Sequence, residues 1–282
     1  MRTSNVAFAI YGLFLLALTP AGAAALESAW LEGHENRVRL SAAGLSTADG
    51  IRPFAFIEIE MSPGWKTYWR NPGDAGGIPP VFDLSRSVNV AKAEVLMPVP
   101  KVLSDRAGDV IGYKEHVIIP IGLEPADPAK AMVLDLVASI GICEKLCVPV
   151  EAALQLDIPA GVLPEPTPDL AAAVEAVPRP LDNVKAGDPQ DAQTRVTGEA
   201  GAPALEITAR FPGDAKAAAV FLDAPGGLYL PLPKASGTDG DGRLRFVADL
   251  SRDVDLPAIK AQPITVTLKG ETGHSTYSFK ID

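Results

Sequence analysis

The sequence predicts an all-β protein of two β-sandwich domains, joined by a proline-rich linker that contains a short helix. The 25 glycines and 26 prolines are scattered among short apolar runs, which is typical of many short strands joined by tight turns. Apolar residues at helical spacing are scarce. A cluster of prolines between residues 160 and 180 divides the strand-like segments into two groups.

The first 25 residues have the pattern of a secretory signal peptide. Arg2 precedes an apolar run at residues 6–18, and small residues follow at positions 21–25. The run is shorter than the roughly 20 apolar residues that span a bilayer. We therefore expect residues 1–25 to be cleaved, and the remaining chain to be a periplasmic protein that does not insert into the membrane.

The formal net charge of −10 argues against two classes of partner. Nucleic acids and anionic membrane surfaces are bound by basic patches, and the sequence contains no cluster of lysine and arginine. We therefore expect no nucleic-acid partner, and we interpret the acidity as a contribution to solubility.

Residues 26–160 are predicted to form the first β-sandwich domain. The clearest strand signal is at residues 132–140, where every second residue is apolar while Asp135 and Ser139 point to the other face. The strand candidates in this domain are residues 38–42, 53–61, 88–95, 116–123, 131–142 and 150–158.

Residues 161–190 are predicted to be the linker, and residues 191–282 the second β-sandwich domain. Prolines in the linker surround residues 169–176, a short segment that can form a helix. Several short strands at regular spacing are typical of a sandwich. The strand candidates in the second domain are residues 204–211, 218–222, 227–232, 244–250, 264–269 and 275–281, the last two joined by a turn at 270–273.

Cys143 and Cys147 are the only cysteines in the chain, and they follow an apolar, strand-like run. A loop this short stabilises a fold by only about 2 kcal/mol when it is closed by a disulfide, against nearly 5 kcal/mol for a loop of about 100 residues. An exported protein can hold such a pair as a disulfide. We interpret it as a redox-active pair on an exposed turn between two strands, where a partner thiol reaches the sulfurs. The alternative is a buried, inert disulfide.

The segment at residues 63–80 is a second candidate. Trp65, Tyr68 and Trp69 crowd into five residues, and a loop rich in glycine and proline follows them. Two interpretations stay open. In the first, the aromatic residues and the loop form a platform or cap over a reactive site. In the second, the tryptophans fill the core and residues 71–74 form a turn.

Three stretches carry a family resemblance: residues 64–76 (Gly-Trp-Lys-Thr-Tyr-Trp-Arg-Asn-Pro-Gly-Asp-Ala-Gly), residues 111–113 (Ile-Gly-Tyr) and residues 143–149 (Cys-Glu-Lys-Leu-Cys-Val-Pro). Together they resemble the periplasmic N-terminal region of the DsbD family, and its ScsB-type branch most closely. The resemblance covers residues 30–158. Three residues separate the cysteines, fewer than in the best-known members.

The resemblance implies two immunoglobulin-like sandwiches and a redox-active cysteine pair in the first. It implies a thiol:disulfide oxidoreductase of the protein-disulfide reductase type, without a cofactor. Electrons would come from an integral-membrane thiol reductase, and they would pass to periplasmic thioredoxin-like proteins such as disulfide isomerases or cytochrome c maturation factors. Cys147 would attack or be attacked by the partner, and Cys143 would resolve the mixed disulfide.

The residues that we expect to shape the site around the pair are Trp65, Tyr68, Trp69, Asn71, Asp74, Tyr113, Glu144 and Pro149. The chain carries neither transmembrane segments nor a thioredoxin-like domain after the sandwiches. We therefore expect a stand-alone secreted protein that receives electrons from a separate membrane protein.

Two other functions stay open. The pattern Cys-x-x-x-Cys-x-Pro is similar to that of the Sco-type copper chaperones, and thiolates select Cu(I). Those proteins combine the motif with a thioredoxin fold and a downstream histidine ligand, whereas His274 is remote here and alternating helices are missing. The third possibility is a non-enzymatic binding module whose disulfide only pins a hairpin.

Overall fold

The structure is a computed structural model that describes residues 26–47, 50–105, 108–161, 163–199 and 201–281. The predicted signal peptide, residues 1–25, lies outside the described residues. Within the described ranges, no helix has the length and apolar character needed to cross a bilayer.

The chain is built almost entirely of strands. Before residue 160 they are β1 (Leu26–Glu27), β2 (Leu31–Glu32), β3 (Asn36–Thr47), β4 (Gly50–Met61), β5 (Lys66–Tyr68), β6 (Val81–Asp83), β7 (Val90–Val95), β8 (Lys101–Asp105), β9 (Gly108–Lys114), β10 (His116–Pro125), β11 (Met132–Cys143) and β12 (Cys147–Ile158). After it come α1 (Pro168–Glu175), β13 (Arg179–Pro180), β14 (Gln190–Thr197), β15 (Ala204–Arg210), β16 (Ala219–Asp223), β17 (Lys234–Thr238), β18 (Leu244–Asp249), α2 (Leu256–Lys260), β19 (Ile264–Lys269) and β20 (His274–Phe279).

The first sandwich consists of two antiparallel sheets. Sheet 1 has the order β1-β3-β4-β10-β7, with β2 also paired to β3, and sheet 2 has the order β12-β11-β5-β9-β8, with β6 also paired to β11. The alternation predicted for residues 132–140 is observed: Met132, Leu134, Leu136, Ala138 and Ile140 are all buried. These side chains pack in the core, because successive strand residues point to opposite faces of a sheet.

Helix α1 covers part of the outer face of sheet 1, and it confirms the helix predicted at residues 169–176. Thr167 caps it by accepting a hydrogen bond from the amide of Leu170, and Pro168 starts it, where a missing N–H costs nothing. Its buried Leu170 and Ala173 pack against apolar residues of β3, β4 and β10. The linker is therefore docked on the first sandwich at this point.

The second sandwich also consists of two sheets, with the orders β13-β20-β19-β16 and β14-β15-β18-β17. The hairpin predicted from residues 264–269 and 275–281 is observed as β19 and β20. Strand β13 lies inside the predicted linker, but it pairs with β20 and so is part of this sandwich. The domain limits drawn from the sequence stay a prediction.

The strand predicted at residues 227–232 is wrong. A single 3-10 turn ends at Gly227, and an irregular segment follows it. Pro231 and Pro233 provide no N–H group, so the segment cannot form the ladder of a central strand. The carbonyl of Leu230, the hydroxyl of Tyr229 and the amide of Leu232 bind the first sandwich instead, as described below.

The short strands β5, β6, β8 and β9 of sheet 2 were not predicted. Strand β8 pairs with its neighbour β9, but the partners of β5 and β6 lie far along the chain. Strand β5 pairs with β9 on one side and with the end of β11 on the other, and β6 pairs with β11. This arrangement places residues 66–68 beside the cysteines, and Ile111, Gly112 and Tyr113 lie inside β9.

Candidate functional site

Cys143 and Cys147 form a disulfide that closes the hairpin of β11 and β12. The two residues face each other in the strand register, and their Cα atoms are 4.2 Å apart. Cys147 is exposed, whereas Cys143 is only 1% exposed. The expectation that both sulfurs are reachable is therefore wrong for Cys143. One half of the pair is buried, as an inert disulfide would require, and the other half is open to a partner.

Tyr68 contacts both sulfur atoms. Its hydroxyl oxygen lies 3.0 Å from the Sγ of Cys143 and 2.9 Å from the Sγ of Cys147, and the residue is 3% exposed. A disulfide carries no S–H group, so the hydroxyl is the donor in the oxidised protein. Strand β5 positions the ring, because Lys66 pairs with Cys143 and every second side chain lies on the same face.

Two glycines leave the space that the Tyr68 ring occupies. A Cβ atom at Gly77 would overlap the ring. A Cβ atom at Gly141 would lie 3.2 Å from the ring and 2.7 Å from the Cβ of Ile78. Glycine inside a strand is typical of such a close approach, so Gly141 is a signal in the sequence for this contact. The slot holds the hydroxyl group at the sulfurs.

The tip of the hairpin is exposed. Glu144 and Lys145 form an ion pair of 3.8 Å, and Leu146 between the cysteines is 80% exposed. Pro149 is also exposed, on β12. Ile78 and Val81 add apolar surface from the segment that lies beside β11. Sequence reasoning did not identify Leu146, Ile78 or Val81.

Residues 69–78, which we call the strap, connect the site with the second sandwich. Trp69 is fully buried and its ring lies 5.9 Å from that of Phe221. The Nδ2 group of Asn71 donates to the carbonyl oxygens of Leu222 and Leu230, at 2.9 and 2.8 Å. Of the two interpretations of this segment, core packing therefore describes Trp69.

Asp74 makes a second connection of the strap. Its Oδ1 accepts hydrogen bonds from the hydroxyl of Tyr229 at 2.8 Å and from the amide of Leu232 at 3.2 Å. Burial and the bond to Asp74 both raise the pKa of Tyr229 above its usual range. Asn71 and Asp74 thus bind the second sandwich rather than the sulfurs.

Trp65 and Tyr113 support the sheet. Trp65 is partly buried against the first core and makes an edge-on contact with His34, whose ring is 5.7 Å away. Tyr113 donates to the carbonyl oxygen of Pro98 at 2.6 Å, and burial raises the pKa of its hydroxyl. Both residues flank β5. The hydroxyl of Tyr113 bonds to Pro98 and not to the disulfide.

One cluster in the described part of the chain could hold a metal ion: Glu58, Glu60 and His116. Arg39 and Arg37 already pair with its two carboxylates, at 2.7 and 2.6 Å. Neither cysteine belongs to a cluster of three candidate ligands among the described residues. His274, which the copper hypothesis considered, starts β20 in the second sandwich.

Comparison with known proteins supports the motifs. Residues 41–159 match the family model described as thiol:disulfide interchange protein DsbD, N-terminal. The chain is also similar to the solved N-terminal periplasmic domain of ScsB from Proteus mirabilis, with 20% sequence identity and a TM-score of 0.65. That likeness covers 92% of this chain and 99% of the other. A comparison with curated sequences gave no match. The predicted resemblance and the all-β, immunoglobulin-like fold are confirmed.

Proposed function

Because residues 41–159 match the DsbD N-terminal family model, we propose that this chain is a periplasmic thiol:disulfide interchange protein. It accepts electrons from a membrane thiol reductase and passes them to thioredoxin-like partners by dithiol–disulfide exchange. The observation that carries the proposal is the asymmetric disulfide, with an exposed Cys147, a buried Cys143 and a tyrosine hydroxyl at both sulfurs.

The asymmetry supports one order of the exchange. A thiolate of the donor attacks the exposed Sγ of Cys147, the S–S bond breaks, and Cys143 leaves as a thiolate. The second thiolate of the donor then attacks the donor's first sulfur in the mixed disulfide, and Cys147 is released. Two electrons have entered the protein, the donor has become a disulfide, and solvent supplies the protons for the two thiols.

The second half of the cycle is the reverse reaction with an acceptor. The Cys147 thiolate attacks the acceptor's disulfide, and Cys143 resolves the mixed disulfide by attacking Cys147. Two electrons leave as a dithiol on the acceptor, and the pair is a disulfide again. Cys147 therefore contacts the partner in both directions, as the family resemblance implies.

Tyr68 is the group that assists the buried sulfur. When Cys143 carries a negative charge, a hydroxyl donor at 3.0 Å stabilises it in a site that water barely reaches. A hydrogen bond to a charged group is worth about 1.5–3 kcal/mol. The bond is stronger to the thiolate than to the neutral disulfide, so it lowers the barrier to the exchange.

The exposed apolar residues around Cys147 provide the docking surface for the thioredoxin-like partner. Leu146 is 80% exposed between the two cysteines, and Val81, which is 63% exposed, pairs with Ser139 four residues before Cys143. A partner that forms a mixed disulfide with Cys147 must contact these exposed apolar residues.

Trapping tests the proposal. Cys143→Ser leaves the exposed Cys147, and Cys147→Ser leaves the buried Cys143. Each full-length variant is incubated with a thioredoxin-like protein whose single remaining cysteine is activated as a mixed disulfide with thionitrobenzoate. We expect a covalent complex with Cys143→Ser and little with Cys147→Ser. A wild-type disulfide that stays oxidised in excess reduced thioredoxin-like protein would overturn the proposal.

A further inference from the structure

We propose that the second sandwich positions Tyr68 at the disulfide through the strap, with Asn71 and Asp74 as positioning residues. This inference rests on the proposed exchange function and gives the second sandwich a part in it.

The outer part of the strap is fixed to the second sandwich by polar bonds. Asn71 is 4% exposed, and its amide group spans two carbonyl groups of that sandwich, on Leu222 and Leu230. Its Oδ1 accepts a bond from the amide of Gly73, so the side chain also shapes the turn of the strap. Asp74 binds the same segment through Tyr229 and Leu232.

The inner end of the strap lies against the redox site. Gly77 contacts the Tyr68 ring so closely that no side chain fits between them, and Ile78 packs over Gly141. The three residues from Asp74 to Gly77 span at most about 11 Å. The amide of Gly76 donates to the carbonyl of Gly73 at 3.0 Å, so Asp74 lies in a hydrogen-bonded turn that leads directly to Gly77, and a displacement at Asp74 moves this turn.

The first sandwich holds the strap by backbone bonds. The amide of Ile111 donates to the carbonyl of Pro72 at 2.8 Å, and the amide of Ala75 donates to the carbonyl of Asp109 at 3.2 Å. These bonds keep the middle of the strap near β9. The side chains of Asn71 and Asp74 fix it from the opposite side, so the strap is held between the two sandwiches.

The position of the Tyr68 hydroxyl depends on how firmly the strap is held. Loss of the Asp74 bonds leaves the strap fixed only by Asn71 and by its backbone bonds to β9, so Gly77 holds the ring less firmly and the hydroxyl spends less time within bonding distance of the Cys143 sulfur. The departing thiolate loses part of its donor, and the exchange becomes slower. Access is not limiting, because Cys147 is already exposed.

The experiment measures the rate at which dithiothreitol reduces the disulfide in the full chain. We expect Asp74→Ala and Tyr229→Phe each to slow the reduction about fivefold. Asp74→Asn keeps an acceptor oxygen and restores most of the rate. Tyr277→Phe is the matched control, because its hydroxyl bonds to Thr194 within the second sandwich and does not contact the strap. Near-UV circular dichroism reports whether each variant is folded, and Tyr229→Phe carries the test if Asp74→Ala is not.

A double-mutant cycle tests the route through Tyr68. In a Tyr68→Phe background, Asp74→Ala should have an effect of less than about twofold, because the group it positions is absent. Full additivity of the two substitutions, or an equal loss of rate in Tyr277→Phe, would overturn the inference. A wild-type disulfide that does not exchange with thiols at all would instead count against the proposed function.

Discussion

The hydroxyl of Tyr68 lies 3.0 Å from the buried Sγ of Cys143, in a slot that Gly77 and Gly141 leave open. The sulfur that is hidden from a partner is thus the one that has a hydrogen-bond donor beside it. In the proposed exchange, the exposed cysteine accepts the attack and the buried sulfur leaves. The site separates these two roles within a pair only four positions apart.

Tyr68→Phe should slow reduction of the disulfide by dithiothreitol about tenfold or more, because the Cys143 thiolate loses its hydroxyl donor. Stopped-flow or quenched thiol assays measure the rate. Tyr113→Phe is the matched control, since it also removes a buried hydroxyl of sheet 2, one that bonds to Pro98. An unchanged rate in Tyr68→Phe would contradict the assignment of the tyrosine as the group that assists Cys143.

Gly141→Ala should destabilise the protein by about 1–3 kcal/mol, because the new Cβ atom overlaps Ile78 and crowds Tyr68. Urea unfolding followed by tryptophan fluorescence measures the free energy. Gly240→Ala is the control, since a Cβ atom there meets nothing within 4 Å. Equal stability of the two variants would mean that the slot around Tyr68 is looser than the structure indicates.

The sequence predicted the elements whose signals are local. Patterns among neighbouring residues predict the alternation in β11, the capped helix α1 and the hairpin of β19 and β20. Each of these is observed. Strand β5 has three residues and exists because β9 and β11 flank it. Such a strand has no pattern of its own to detect.

The burial of Cys143 shows a similar limit. In β11 the residues of its parity are half-buried from Val133 to Ser139, as expected for an outward face, but Gly141 and Cys143 are buried. The strap and Tyr68 cover that face at the end of the strand. Alternation alone therefore predicts exposure there, and only the distant segment at residues 68–78 reverses it.

The pKa of His274 gives a prediction for stability against pH. Burial, and then the nearby charge of Lys269, lower the pKa of this side chain. The unfolded chain, with a histidine pKa of about 6.5, therefore binds a proton more readily than the folded protein. The stabilising contribution is present above about pH 6.5, and it is lost as the pH falls through the folded pKa.

We therefore expect the free energy of unfolding to decrease from pH 7.5 to 5.5, and to decrease less in His274→Gln. Urea unfolding at several pH values measures both slopes. The carboxylates of an unfolded chain titrate near pH 4, so they contribute little in this window. The same slope in both proteins would exclude His274 as the source.

Leu146→Ser should separate docking from chemistry. Leu146 is 80% exposed between the two cysteines, so it touches any protein that forms a bond with Cys147, whereas a small thiol does not need it. We expect the exchange rate with a thioredoxin-like protein to fall about tenfold, within the range of a lost apolar contact, and the rate with dithiothreitol to stay within about twofold.

Val88→Ser is the matched control. Val88 is another exposed aliphatic residue of the first sandwich, 60% exposed. It pairs with Val133, about 33 Å along β11 from Cys143. If both rates fell together in Leu146→Ser, the residue would be acting on the disulfide itself. The exposed apolar residues around Cys147 would then not be the docking surface.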